Sequence, residues 1–157
     1  MSVDLGPGAT ASRRLGYLLK HAMMRMEALN VSALAPLGID PRELGVMFLI
    51  GDHKPTSQEQ SAQRLGVDRT TMVALIDRLE RKGLVKRHPD ADDRRRNVVE
   101  LTDAGREVLR HATKASNEAE SAFLSPLTAA AADNLRTALQ RALLGADGPA
   151  LNETHLD

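Results

Sequence analysis

The chain has 157 residues, 42% of them apolar and 27% charged, with only three aromatic side chains, Tyr17, Phe48 and Phe123; this fits one domain with helical extensions and excludes a disordered or collagen-like polymer. The absence of cysteine excludes structural disulfides, zinc–thiolate sites and thiol-based redox sensing. Lys plus Arg and Asp plus Glu both number 21, a neutral total that by itself argues against a nucleic-acid binder, although the distribution of charge matters more.

The first dozen residues, MSVDLGPGATAS, lack the basic and apolar parts of a secretion signal. No apolar run approaches the ~20 residues of a membrane span. The expectation is a cytoplasmic, mostly helical protein, because a core of Leu, Ala, Val, Ile and Met favours helices. Residues 1–11 read as a tail. The first helix is predicted from Ser12 to Ala35, with one apolar stripe of Leu15, Leu18, Leu19, Ala22, Met26, Leu29 and Ala33 at helical spacing. A second stripe of Tyr17, His21, Met24, Ala28, Val31 and Ala35 lies opposite. A helix apolar on two faces needs cover on two sides, either from a second subunit or from the chain's own C-terminal helices.

Asp40 and Pro41 open the second helix, Pro being preorganised for a first turn. Leu44, Met47, Phe48 and Ile50 are its expected apolar face, and it stops near Gly51. A third helix starts at Ser57, whose spacing to Gln60 is that of a capping box, and ends at Leu65-Gly66. Asp68 caps a fourth, which runs to about Lys82 before Gly83. Then the period changes: LVKRH and NVVEL, separated by PDADDRRR, predict a β-hairpin with a long charged tip. Thr102 caps a long helix from Asp103 to Phe123, Pro126 interrupts, and Thr128 opens a last helix ended by Gly145. Its stripe is Ala131, Leu135, Ala138, Leu139, Ala142 and Leu143. Residues 146–157 read as a second tail.

Charge is unevenly distributed. From Arg64 to Arg96 there are ten basic and six acidic residues, whereas the last thirteen residues carry a net −3. Within that basic stretch, two helices meet at Leu65-Gly66-Val67-Asp68, the layout of a helix-turn-helix. Met72, Leu75, Ile76 and Leu79 form the buried face of the second helix. Thr70, Ala74, Asp77 and Arg81 lie opposite, flanked by Arg69, Val73 and Arg78. A major groove accepts one such helix, N-terminal residues first. Arg69 suits a bidentate contact to guanine, Thr70 a base or phosphate, and Val73 and Ala74 thymine methyls. Asp77 would repel DNA unless neutralised, and Arg81, four residues on, is the expected partner. The hairpin tip gathers Arg94, Arg95 and Arg96 beside Asp92 and Asp93; arginines suit a narrow minor groove, and an adjacent Asp can brace one of them. Helix-turn-helix plus basic hairpin makes a winged helix. Ser57, Gln58 and Thr71 complete the candidate DNA-binding set.

These residues resemble the MarR family of bacterial transcription regulators, most specifically in LGVDRTTMVALIDRLERKGLVKR and DRRRNVVELTDAG. The similarity spans about residues 12–144. It implies a winged helix-turn-helix lobe over residues 40–102, with residues 12–36 and 103–145 as a helical dimerisation region: mainly α, with a small β-hairpin wing. It also implies a homodimer on a pseudo-palindromic double-stranded operator, in many relatives a ligand-responsive repressor. Asp93 would brace Arg95 in the minor groove. Two positions depart from the family pattern. Ser61 replaces a bulky apolar residue, and Val73-Ala74 stands where a hydroxyl residue followed by Arg is common. Relatives often bind anionic or phenolic effectors beside the dimerisation helices, which makes Tyr17, His21 and Met24 candidate pocket residues; a packed dimer seam is the alternative for them.

Other classes fit less well. Asp52-His53 is an acid–base pair only in composition, the five histidines show no ligand spacing, and there is no phosphate loop or nucleophile elbow. No catalysis, metal, cofactor or membrane partner is expected. The remaining alternative is a winged helix used for protein–protein contact without DNA binding, against which the basic wing tip argues.

Overall fold

The computed structural model describes residues 13–51, 66–90, 92, 94 and 97–145. In chain order the elements are α1 (Leu15–Leu34), a single 3-10 turn (Ala35–Leu37), α2 (Pro41–Gly51), α3 (Arg69–Arg81), β1 (Val85–Pro89), β2 (Asn97–Leu101), α4 (Asp103–Leu124) and α5 (Ala129–Leu144). The protein is therefore mainly helical with one two-stranded antiparallel hairpin. The helix expected from Ser57, with its Gln60 box, and the two tails lie outside the described residues. Among the described residues no helix is long and apolar enough to cross a membrane.

Capping chemistry sets most of these bounds. α1 ends at Leu34 rather than Ala35, since Pro36 has no N–H to continue the ladder, and Gly38 closes the turn at φ 70°. At α2, Glu43 N–H donates to Asp40 Oδ1 at 2.8 Å while Asp40 N–H donates to Glu43 Oε2 at 2.9 Å. This reciprocal capping box satisfies two orphan donors, and the D-x-x-E spacing was there to be read beside the Asp-Pro signal. Asp68 Oδ1 accepts the Thr71 N–H at 2.9 Å, Thr102 Oγ1 accepts that of Gly105 at 3.0 Å, and Thr128 Oγ1 that of Ala131 at 3.2 Å.

The chain divides into two compact units, Met1–Glu120 and Ser121–Asp157. In the first, Leu34 of α1, Leu44, Val46 and Met47 of α2, and Met72, Leu75, Ile76 and Leu79 of α3 form one core with the hairpin root. α2 packs on α3 and β2, and α3 packs on β1. The inner face of α2 differs from expectation: Val46 is buried at 1% exposure and Phe48 is 44% exposed. Val46 and Phe48 sit two positions apart and so project from different sides of the helix. Asn30 of α1 accepts a hydrogen bond from the Ser116 hydroxyl of α4 at 2.9 Å, a polar tie inside a partly apolar contact.

The hairpin pairs Val85 with Leu101 at its root and Pro89 with Asn97 toward its tip. Its root is fastened to α4. Thr102 N–H donates to the Leu84 carbonyl at 3.0 Å, and the Thr102 hydroxyl donates to the Gly83 carbonyl at 2.6 Å. Gly105 is obligatory here, since a Cβ would stand 1.9 Å from the Leu84 carbonyl oxygen. In the second unit α5 runs to Leu144 and ends at Gly145, φ 73°.

Candidate nucleic-acid interface

α3 is the element that presents the predicted reading face. Met72, Leu75, Ile76 and Leu79 are buried, as their spacing requires, and Arg69, Thr70 and Ala74 are exposed with Val73 half-buried. The N-terminus is fixed twice by Asp68. Besides the backbone cap, the Thr71 hydroxyl donates to Asp68 Oδ2 at 2.6 Å. These two Thr71 bonds, the hydroxyl first, hold the Asp68 carboxyl below the usual aspartate value. The Thr71 hydroxyl is thus committed to the cap, while the Thr70 side chain stands exposed beside Arg69. The remaining N–H groups of the first turn and the exposed Arg69 guanidinium together make an anion-attracting end.

Farther along α3, the cations divide into two groups. Arg69 and Arg81 have no ion-pair partner among the described residues. Arg78 is turned back on α2: its Nη2 lies 3.0 Å from Asp40 Oδ2 and its Nε 3.6 Å from Glu43 Oε1. Lys82, just past the helix end, donates to Glu43 Oε1 at 2.7 Å and to the Gly38 carbonyl at 2.8 Å. Asp77 does not pair with Arg81 as its spacing suggested. It is bound by Arg87 of β1, which also grips Glu80. Burial disfavours the Arg87 charge, but the bonds to Asp77 and Glu80 outweigh it and raise its pKa. One strand arginine thereby neutralises both acids on this flank of α3 and joins the wing to the helix.

The hairpin extends the same surface. His88 Nδ1 contacts the Pro89 carbonyl at 3.1 Å, and since a carbonyl only accepts, the ring nitrogen is the donor. Its Nε2 stands 3.0 Å from Glu100 Oε1, close enough for charge attraction but not aligned as a hydrogen bond. The Pro89 carbonyl first, and the Glu100 carboxylate next, hold the His88 pKa above its ordinary value. At the tip, the Asp92 N–H donates to Asp90 Oδ1 at 2.9 Å, an Asx turn, and Arg94 is exposed. Of the remaining predicted site residues, Ser57, Gln58, Asp93, Arg95 and Arg96 lie outside the described residues. Tyr17 and His21 on α1 are in tilted ring contact, centroids 4.1 Å apart and planes at 40°, and Met24 on the same helix is exposed. The roles of Glu43, Lys82 and Arg87 were missed in the sequence, because their partners lie on other elements.

Comparison with known proteins bears on this geometry. Residues 37–96 match the MarR family. The chain is 31% identical over 102 residues to the HTH-type transcriptional repressor NicR of Pseudomonas putida KT2440, an alignment covering 62% of this chain and 62% of that protein. It spans between 51% and 63% of the length of this and two other curated relatives. Among solved structures, the transcriptional repressor CouR bound to a 23-mer DNA duplex superposes with a TM-score of 0.79 at 30% identity, covering 91% of this chain and 99% of that one. CouR from Rhodococcus jostii RHA1 bound to p-coumaroyl-CoA superposes with a TM-score of 0.75 at 26% identity, over 86% of this chain and 95% of that one. The fold is that of a MarR-like winged helix-turn-helix.

Proposed function

The chain belongs to the MarR family of winged helix-turn-helix transcriptional regulators, a family of DNA-binding regulators rather than enzymes, and from that premise we propose that it is a repressor binding double-stranded DNA as a homodimer. The observation that carries this reading is the α3 N-terminus. An exposed Arg69 and Thr70 follow the Asp68 cap, on a helix whose two acids, Asp77 and Glu80, are already neutralised by Arg87. α3 enters the major groove, where Arg69, Thr70, Val73 and Ala74 meet base edges. Arg94, Arg95 and Arg96 enter the adjacent minor groove, with Asp93 as a brace. Ser57 and Gln58 belong to the same DNA-contacting set. Arg78, half-exposed beside its pair with Asp40, completes the contacting set on this flank.

Residues 12–36 and 103–145 form the dimerisation region in this reading. Its support is the apolar surface that the single chain leaves uncovered: Leu15, Leu18, Met24 and Val31 on α1, and Leu135 and Leu143 on α5. Two symmetric copies of α3 require half-sites about one helical turn, roughly 10 bp, apart. A small-molecule effector beside Tyr17, His21 and Met24 is the finer part of the proposal, supported by the p-coumaroyl-CoA complex of CouR and by the exposed Met24 on the same helix as the Tyr17–His21 ring contact. The test is titration of the full chain against the duplex it selects from a randomised pool, a scrambled duplex and the corresponding single strand. Preference for the selected duplex, with log K falling by about 0.9 per neutralised phosphate against log salt, is expected. Salt-insensitive binding or equal affinity for single strands favours the protein-contact alternative.

A further inference from the structure

Among the described residues, Glu43 is the one buried charged side chain, at 1% exposure, and it sits where α2 meets the end of α3. Its carboxylate accepts three hydrogen bonds. Oε2 accepts the Asp40 N–H at 2.9 Å. Lys82 Nζ donates to Oε1 at 2.7 Å and to Oε2 at 2.8 Å. Arg78 Nε approaches Oε1 at 3.6 Å. Lys82 also reaches the Gly38 carbonyl at 2.8 Å, in the turn that ends α1. Three segments, the end of α1, the start of α2 and the end of α3, therefore converge on one carboxylate.

Stability alone does not call for such a group, since a buried ion pair is often matched or exceeded by well-packed apolar residues of the same volume. What charge-assisted bonds add is fixed geometry. Apolar packing on Leu75 and Leu79 is non-directional, so it specifies rotation and axial position less sharply than a directed polar contact does. The Lys82 bonds to Glu43 and the Arg78 bond to Asp40, the residue that Glu43 caps, set the axial position of α3 and its rotation at the C-terminal end, while Arg87 holds the opposite flank. α3 has 13 residues, so its first turn lies roughly 20 Å from Lys82, and a tilt of about 3° about that end moves Arg69 by about 1 Å. Base-edge contacts have to be held within about 0.5 Å.

We propose that Glu43 is a positioning residue for DNA reading: its buried carboxylate fixes the register of α3, so that Arg69 and its neighbours meet base edges rather than only phosphates. This deepens the DNA-binding reading above and rests on it. Discrimination between sequences, more than overall affinity, then depends on a residue that never touches DNA.

The experiment uses the full chain and two probes, the duplex that the wild type selects from a randomised pool and a scrambled duplex of the same composition, each titrated at several salt concentrations. Glu43→Gln keeps an acceptor for the Asp40 N–H, as capping boxes allow, and removes the charge. The ratio of selected to scrambled affinity is expected to fall about tenfold, the scale of one misaligned base contact, with scrambled affinity and salt slope unchanged and circular dichroism native. A merely structural role would move the melting temperature and leave that ratio intact, and this result would overturn the proposal. Glu43→Gln combined with Lys82→Met removes both partners of the pair, so the half-exposed Lys82 ammonium is not left beside a neutral amide. Folded double variant with wild-type discrimination also overturns the proposal; folded protein with the ratio still depressed supports it. If the wild type selects no duplex at all, the DNA-binding reading falls and this proposal with it. If it selects one and Glu43→Gln discriminates equally well, only the positioning role is lost.

Discussion

The DNA-binding lobe and the helices assigned to dimerisation bury their apolar side chains to opposite degrees. Met47, Met72 and Leu79 in the lobe are wholly enclosed, whereas Met23 on α1 is 74% exposed and Leu143 on α5 is 80% exposed. The lobe's core is closed by α2, α3 and the hairpin root together with Leu34 at the end of α1 and Ala112 of α4. α1 and α5 also carry apolar stripes, yet the single chain leaves much of them open to solvent. At about 25 cal/mol per Å2 of apolar surface removed from water, that surface is a standing drive toward association. Apolar stripes therefore mark a core in one region and, in our reading, a subunit seam in the other.

The sharpest way to break this contrast is to truncate one apolar side chain of each kind. Leu79→Ala, at a position with 0% exposure, should destabilise the protein by about 2–5 kcal/mol. Met23→Ala, measured in dilute protein, should stay within about 0.5 kcal/mol. Denaturant midpoints decide it, and similar losses at both sites would mean that α1 is packed within the chain. Next in size is the seam. Leu135→Glu with Leu139→Glu should yield particles of 17.0 kDa by light scattering and lower duplex affinity about a hundredfold, since the second half-site is no longer tethered. A wild-type particle of 17.0 kDa at micromolar concentration would remove the dimer from the proposal.

Smaller effects sharpen the picture inside the lobe. Arg69→Ala should cost about 1–3 kcal/mol of binding and relax preference at one base pair per half-site. Arg95→Ala should weaken selected and scrambled duplexes alike and reduce the salt slope by about one per wing. The reverse pattern in the titrations would exchange the assigned grooves. The smallest effect concerns pH. Asp68 has its pKa lowered below 3.8 by the Thr71 hydroxyl and then the Thr71 N–H. Its contribution to stability is therefore complete above the usual aspartate range and is lost as pH falls through the depressed value. The acid limb of the wild-type melting curve should be steeper than that of Asp68→Asn, and identical limbs would show that the cap adds nothing. His88 has the opposite sign: its raised pKa gives the wing root a contribution present at low pH and lost as pH rises through the shifted value.

Local chemistry, read from the sequence by itself, determined the architecture. Pro41, Asp68, Thr102, Thr128 and Gly145 mark helix ends because a cap acts within four residues of its own position, and that information is all in the local string. The β-branched run NVVEL and its partner strand were legible for the same reason, as was the buried quartet of α3, whose spacing is a property of one helix. The family resemblance rested on that same stretch. Only the tertiary structure decided which faces meet. Asp77 has Arg81 one turn away, yet binds Arg87, because β1 returns alongside α3 and brings the guanidinium within reach of two carboxylates at once. Glu43 reads as an ordinary first-turn acid, until Lys82, 39 residues later in the chain, covers it. Phe48 and Val46 exchanged places between surface and core because periodicity tells which residues share a face and not what that face will touch. A side chain's local spacing is fixed by the helix it belongs to; its partner is fixed by how the elements pack, and that carries no signature in the residues nearby.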